Sequence, residues 1–325
     1  MKGTARRGMT TSADNTAAMT LHRSRKNRAE NVMITDMLRN DMGRIAEPGS
    51  VRVESLYDVE KYPTVWQMTS SISATTSSEL PEILEALFPC ASVTGAPKAA
   101  SMKIIANLEE SPREIYTGTI GYFSPRREAQ FNVAIRTVWL DKQSQEATYG
   151  VGGGIVWDSD PAAEFEECLN KARILDSSAA DRNFSLLETM LWTASDGYFL
   201  IDEHLDRLRD SAEYFDFSFD RARVLSELAG LSDTLTARQH RVRLLLDRDG
   251  GIQLEQTALP DIPDTSRKQI VLAAKPIDAD NPFLYHKTTN RGIYEQALAS
   301  SQPCDDVLLW NADGFITETT IANVV

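Results

Sequence analysis

The segment GVGGGIVWDSDPAAEFEECLNKA, residues 150–172, places Gly152, Gly153 and Gly154 ahead of Glu164, Glu167 and Lys171. Positions 164, 167 and 171 are spaced i, i+3 and i+7, so they share one helix face. Two chemistries fit this pattern. Glu167 and Lys171 can form an exposed helical pair contributing at most ~0.5 kcal/mol. Alternatively, the glycines let a ligand approach the backbone while Glu164 and Glu167 hold a cation. Oxygen ligands with some retained water are what magnesium takes. Glu30, opening a helix of its own, is a candidate third carboxylate.

Positioning such groups requires a sizeable fold, and 325 residues suit two domains better than one core. Hydrophobic residues at 42% and charged residues at 25% are ordinary for a globular chain. No apolar run approaches the ~20 residues of a membrane-spanning helix. The net charge of −13 disfavours nucleic acid or an anionic membrane as partner. Cys90, Cys168 and Cys304 are far apart and form neither a disulfide framework nor a zinc pattern, so a reducing cytoplasm is expected. The opening MKGTARRGMTTSADNTAAMTLHRSRKNR is basic and rich in Ser and Thr, as organelle transit peptides are. It lacks an amphipathic stripe, however, and runs into apolar periodicity at Val32.

ENVMITDMLRNDMGRI has loose helical spacing, VRVESL and TVWQMTSSISA read as strands, and ELPEILEALFP reads as a helix stopped by Pro89. SVTGAPKAASMKIIANLEES reads as a loop entering a helix with Pro97 in its first turn. IYTGTIGYF, QFNVAIRTVWL and ATYGVGGGIVW read as strands, and DPAAEFEECLNKARIL as a closing helix. DSSAADRN, residues 176–183, reads as a linker. EHLDRLRDSAEYF is amphipathic through Leu205, Leu208, Ala212 and Phe215. RVRLLLDRDGGIQLEQTAL reads as a hairpin turning at Asp249-Gly250-Gly251, and KQIVLAAKPI as a strand. DDVLLWNADGFITETTIANVV reads as a hairpin turning near Asp313-Gly314, its strand pattern continuing to Val325.

Residues 1–175 resemble the C-terminal part of the chorismate-utilising enzymes, a family that includes anthranilate, aminodeoxychorismate and isochorismate synthases. The resemblance rests on MKGT, RAENVMITDMLRND, GSVRV, SVTGAPK, IYTGTIGYF, FNVAIRT and GGGIV-DSDP-E--E--NKA, in that order. It implies part of a two-layer α/β sandwich, with Glu30 and Glu167 binding Mg²⁺ directly and Glu164 through water. It also implies that Tyr116, Arg136, Lys171 and the Gly152–Gly153 loop hold the carboxylates of chorismate. The chemistry agrees, since a dicarboxylate suits the planar fork of Arg and the N–H groups of a glycine loop. At Lys2 the anthranilate-forming branch carries alanine. Lysine is typical of the aminodeoxychorismate branch, where it attacks ring C2, expels the C4 hydroxyl and is displaced by ammonia at C4. Gln67 in VWQMTSS stands where many members have histidine, which is compatible with a product that keeps its enolpyruvyl group. Ammonia would come from a separate glutamine amidotransferase.

Residues 184–325 resemble the N-terminal half of the fold-type IV pyridoxal phosphate enzymes, on LLETMLW, EHLDRLRDSA, FLYHKTTN and GFITETTIANVV. The resemblance implies that Arg207 binds the cofactor phosphate, Lys287 forms the Schiff base and Glu318 contacts the pyridine nitrogen. A fixed cation suits a phosphate, a desolvated amine suits a Schiff base, and a carboxylate keeps the pyridine protonated. Beside the chorismate segment a lyase is expected rather than an aminotransferase, so amination would be followed by loss of pyruvate to give p-aminobenzoate for folate synthesis. The fold class is α/β (α+β): a partial chorismate-binding sandwich over 1–175, the linker, and a partial fold-type IV domain over 184–325. A homodimer through the lyase part is expected. Two alternatives stand beside this reading: a catalytically silent fragment of such a bifunctional enzyme, and an anthranilate synthase-like enzyme fused to a class IV aminotransferase.

Overall fold

A computed structural model describes residues 1–157, 159–172, 175, 183–260, 267–322 and 324, without the side chain of Asn170. The predicted linker, apart from Asn183, lies outside the described residues. The chain divides into two units, Met1–Arg6 with Ala18–Ser177, and Arg7–Ala17 with Ser178–Val325.

The first unit centres on an antiparallel sheet ordered β1-β3-β2, from β1 (Thr4–Arg6), β2 (Arg52–Lys61) and β3 (Val65–Ser73). Helix α1 (Thr11–Arg23) leads into α2 (Arg25–Gly43), which starts where the Ser24 side chain accepts from the Asn27 N–H. α3 (Leu80–Leu87) and α4 (Lys98–Leu108) follow. Next come two hairpins, β4 (Thr119–Phe123) with β5 (Ala129–Val133), and β6 (Val138–Leu140) with β7 (Ala147–Tyr149). Helix α5 (Pro161–Ala172) closes the unit and carries Glu164, Glu167 and Lys171 as its spacing predicts.

Four expectations change here. Glu30 lies within α2 rather than opening it, and Pro97 is the residue before α4 rather than part of its first turn. QFNVAIRTVWL is two strands, not one, because Arg136 takes φ +51°, a left-handed backbone that cannot continue a ladder. ATYGVGGGIVW forms a strand only over Ala147–Tyr149. The glycines after it offer no side chains to pack on a pleated surface.

In the second unit an antiparallel sheet runs β11-β10-β8-β9, from β8 (Leu186–Thr193), β9 (Gly197–Tyr198), β10 (Gln239–Leu246) and β11 (Ile252–Ala258). α6 (Ile201–Phe215) buries Leu205, Leu208 and Ala212 against it, and α7 (Arg221–Ser232) adds Val224 and Leu228. α7, which the sequence reading passed over, is capped by Asp220 accepting from the N–H groups of Ala222 and Arg223. A smaller sheet orders β12 (Ile270–Leu272), β13 (Asp306–Trp310) and β14 (Ile316–Thr319), with α8 (Gly292–Ser300) in the parallel β12–β13 crossover. β14 ends at Thr319, short of the predicted strand. There the Thr319 N–H and hydroxyl both donate to the Ala322 carbonyl, which turns the chain.

Candidate functional site

Lys2 is fixed by its backbone. Its N–H donates to the Met68 carbonyl at 3.0 Å, and its own carbonyl accepts from Asn31 Nδ2 at 3.0 Å. The next carbonyl, of Gly3, accepts from Gln67 Nε2 at 2.6 Å. Gly3 has φ +101°, with Asn27 and Met68 each 3.2 Å from where a Cβ would stand, so only glycine suits that position. Gln67 thus serves as a clasp for the lysine strand. Asn31 is a positioning residue the sequence reading missed. Its place directly after Glu30 in RAEN was the available signal.

The glycine loop is a strip against which three functional side chains lie. A Cβ on Gly152 would stand 2.7 Å from Tyr116 Oη, one on Gly153 would stand 2.7 Å from Glu164 Oε2, and one on Gly154 would overlap Lys2 Nζ. The missing Cβ atoms therefore make room for the phenol, the carboxylate and the ammonium on consecutive residues. Lys171 adds a second ammonium, donating to the Gly152 carbonyl at 2.9 Å while pairing with Glu167 at 2.7 Å. Burial pushes the Tyr116 phenol above its ordinary pKa, opposed by Arg113 and reinforced by Cys168, Glu109 and Tyr149, so it stays a hydrogen-bond donor.

The three predicted metal carboxylates lie at this strip but are each occupied. Glu30 pairs with Lys2 at 3.4 Å, Glu167 with Lys171, and Glu164 accepts from Ser159 Oγ at 2.9 Å. Among the described residues no three His, Cys, Asp or Glu side chains converge as a metal site. The oxygen donors are of the right type, but this arrangement does not fit a magnesium ion. Arg136 is exposed, and its side chain makes no hydrogen bond or ion pair among the described residues.

In the second unit Lys287 is half-buried. Its carbonyl accepts from the Leu187 N–H at 2.9 Å, which ties it to β8. Burial lowers its pKa, Arg207, Arg291 and Arg243 lower it further, and Glu188 opposes them. Beneath these cations Glu188 is 1% exposed. It accepts from Arg207 Nε at 2.7 Å, from Arg207 Nη2 at 2.5 Å and from His204 Nδ1 at 2.8 Å. Burial alone would raise the Glu188 pKa, but Arg207 and His204 more than offset it and hold it below the usual range. The fork grips one edge of Arg207 and leaves Nη1 without a bond among the described residues. Glu318 Oε1 accepts from the Tyr294 hydroxyl at 2.8 Å, and Tyr294 lies under Arg291 at 4.3 Å. A desolvated amine among guanidinium groups, one with an open donor edge, suits an anionic aldehyde such as pyridoxal phosphate. The sequence reading missed Glu188, though LLETMLW displayed it as an acid in an otherwise buried strand.

Two family models match the chain, one on either side of residues 178–184. The family model of chorismate binding enzyme matches residues 1–177, and that of amino-transferase class IV matches residues 185–325. Aminodeoxychorismate synthase, chloroplastic, of Arabidopsis thaliana is 46% identical over 175 residues, which are 53% of this chain and 19% of that protein. Aminodeoxychorismate synthase component 1 of Salmonella typhimurium is 44% identical over 179 residues, 54% of this chain and 39% of that protein. The chain thus spans less than half the length of these relatives. Anthranilate synthase component I of Streptococcus pneumoniae is 35% identical with a TM-score of 0.48, over 55% of this chain and 41% of that one.

Proposed function

The chain belongs to the chorismate-binding enzyme family, and from that premise we propose that its first unit aminates chorismate to 4-amino-4-deoxychorismate. The second unit then contributes lyase chemistry towards p-aminobenzoate and pyruvate. The observation that carries this reading is the Lys2 ammonium lying on the glycine strip beside Tyr116, Glu164 and Lys171. Tyr116 and Lys171 hold one substrate carboxylate, and Arg136 is the cation left to meet the other. The Lys2 amine bonds to ring C2 as the two conjugated ring double bonds shift and the C4–oxygen bond breaks, the hydroxyl leaving as water with a proton that balances the one the amine sheds. Glu30, 3.4 Å away, is placed to take the proton the amine sheds. Ammonia then bonds to C4 as the C2–N bond breaks and Lys2 is released. Lys2, Lys171 and Ser159 occupy the three carboxylates that the resemblance assigns to magnesium.

Pyridoxal phosphate, when bound in the second unit, supplies an electron sink for bond cleavage beside the ring carbon. Lys287 would hold it, Arg207 would offer Nη1 to the phosphate, and Glu318, steadied by Tyr294, would face the pyridine nitrogen. A partner amidotransferase as ammonia source agrees with the Salmonella relative being named component 1. A cytoplasmic setting, a folate role and a dimer through the second unit belong to the same proposal.

The test supplies chorismate, ammonium, Mg²⁺ and pyridoxal phosphate, and separates the products by chromatography. Aminodeoxychorismate or p-aminobenzoate, lost in Lys2→Ala, is the expected result, and anthranilate would overturn it. A second reading, that this chain alone does not turn over, is favoured by the uncovered apolar side chains of β4 to β7, among them Ile120, Tyr122, Phe131 and Trp139. Product from this chain by itself would dismiss that reading.

A further inference from the structure

The family models divide the chain near residue 180, but its packing does not. Residues Arg7–Ala17 fall within the chorismate-binding match, yet they are part of the second unit. Their attachment is polar, buried at Arg7 and Asp14 and exposed along α1. Arg7, 6% exposed, donates through Nε to both oxygens of Asp14 at 2.7 and 2.8 Å and through Nη2 to the Tyr214 carbonyl at 3.0 Å. Its guanidinium also lies 4.5 Å over the Tyr214 ring. The Gly8 N–H completes the pair by donating to Asp14 Oδ1 at 2.9 Å. One turn apart on α1, Thr11 Oγ1 donates to the Asp210 carbonyl and Asn15 Nδ2 to Glu213 Oε1, which seats the helix on α6.

This segment reaches the Lys287 site through one side chain. His286, 6% exposed, bridges the Met9 carbonyl, 3.1 Å from Nε2, and Ser211 Oγ, 3.0 Å from Nδ1. The imidazole stacks on Tyr214 at 4.3 Å and meets the Phe215 ring edge-on at 5.0 Å. On the opposite side the same stretch is pinned to β8. Leu187 N–H donates to the Lys287 carbonyl, and Thr289 N–H donates to the Ser185 carbonyl. Lys287 therefore sits on a short run of backbone held between β8 and the Arg7–Ala17 segment.

We propose that Arg7–Ala17 is a strap that positions Lys287 for reaction with its aldehyde cofactor, acting through the Met9 carbonyl and His286. Arg7, Asp14 and His286 are positioning residues in this scheme, and none of them touches the reacting carbon. The inference rests on Lys287 being the Schiff-base lysine. The strap also makes a segment of the chorismate-binding sequence a structural component of the other unit's site.

The experiment loads the full chain with pyridoxal phosphate, traps the Schiff base with borohydride over time, and locates the adduct by peptide mass spectrometry. Trapping at Lys287 is expected to slow roughly three- to tenfold in His286→Phe, the equivalent of one net hydrogen bond. His286→Gln, which can still donate to the Met9 carbonyl, should recover most of the rate. A purely packing role would instead favour the aromatic replacement. Full-rate trapping in His286→Phe overturns the strap while leaving the Lys287 assignment standing, and no wild-type adduct at Lys287 overturns both. Should His286→Phe fail to fold, hydrogen exchange on the wild type decides. Cofactor loading should slow exchange across residues 7–17, and unchanged exchange there with altered exchange at 285–289 overturns the proposal.

Discussion

In the second unit Leu186, Met190, Leu205, Leu208, Val242, Leu244 and Leu246 join one continuous core, each at most 1% exposed, with Phe184, Phe215 and Phe217 packed around it. In the first unit the buried apolar side chains among the described residues are Leu21, Met68, Ala86, Ala91 and Ala134, scattered and mostly small. Trp157 there is fully exposed, and Phe165, Tyr122 and Leu140 are all more than half exposed. The two candidate sites inherit this difference. The Lys287 site rests on a carboxylate buried in a core strand, whereas the glycine strip is bordered by apolar faces that nothing described covers. The glycine strip thus lies in the unit with fewer and smaller buried apolar side chains among the described residues.

Removing the acid beneath each site tests this contrast most strongly. Glu188→Ala leaves Arg207 without its buried partner and should destabilise the second unit by ~3–5 kcal/mol. The corresponding Glu167→Ala breaks a pair whose side chains are 28% and 55% exposed and should cost less than ~1 kcal/mol. Urea unfolding followed by circular dichroism measures both, and equal costs would erase the contrast. Next in size is the core itself. Leu244→Ala should cost ~2–5 kcal/mol by cavity formation, against less than ~0.5 kcal/mol for Trp157→Ala. A comparable loss at Trp157 would show that it is covered in solution.

Much of this was legible in the sequence. Helices with strong apolar spacing, such as α6, and strands alternating around Asp-Gly turns, such as β10 and β11, followed from local pattern. The motif residues Lys2, Tyr116, Glu164 and Lys171 come together along the glycines at 152–154, with Glu30 beside Lys2. What stayed hidden depends on tertiary partners. Arg136 breaks its strand by a backbone angle that no side-chain alternation announces. Glu188 looks like an interruption in a buried strand until Arg207 and His204 are brought to it. The docking of Arg7–Ala17 was invisible because Met9 contributes a carbonyl, and every residue type offers one. The pairing of each predicted metal carboxylate with a lysine or serine was also unreadable, since spacing gives a shared face and not a partner.

Burial pulls the His286 pKa down from 6.5 to about 4, with Arg7 lowering it further and the Met9 carbonyl, Asp210 and Asp14 opposing. The sign follows from proton uptake. Below pH 6.5 the unfolded chain binds a proton that folded His286 refuses until about pH 4, so stability present above 6.5 falls through that window. The loss attributable to this group is up to roughly 3 kcal/mol. Stability measured from pH 7 to 4 should fall less steeply in His286→Gln, and an unchanged slope would remove His286 from the account. Glu188 adds a lower window. Its depressed pKa contributes stability above its ordinary value of 4.5, lost as pH drops through the folded value.

The smallest effect separates helix ends. Asp220 accepts two N–H groups at the start of α7, at 2.9 and 3.2 Å, whereas Pro97 before α4 offers no side-chain acceptor. Asp220→Ala should cost the second unit ~1 kcal/mol. Pro97→Ser in the first unit would supply a hydroxyl where none caps the helix, and by the same rule should add up to ~1 kcal/mol if α4 is free to accept it. Paired urea midpoints read both changes. If Pro97→Ser stabilises as much as Asp220→Ala destabilises, helix-end chemistry operates alike in both units. The difference between them then lies in how their apolar faces are covered, and local structure is not its source.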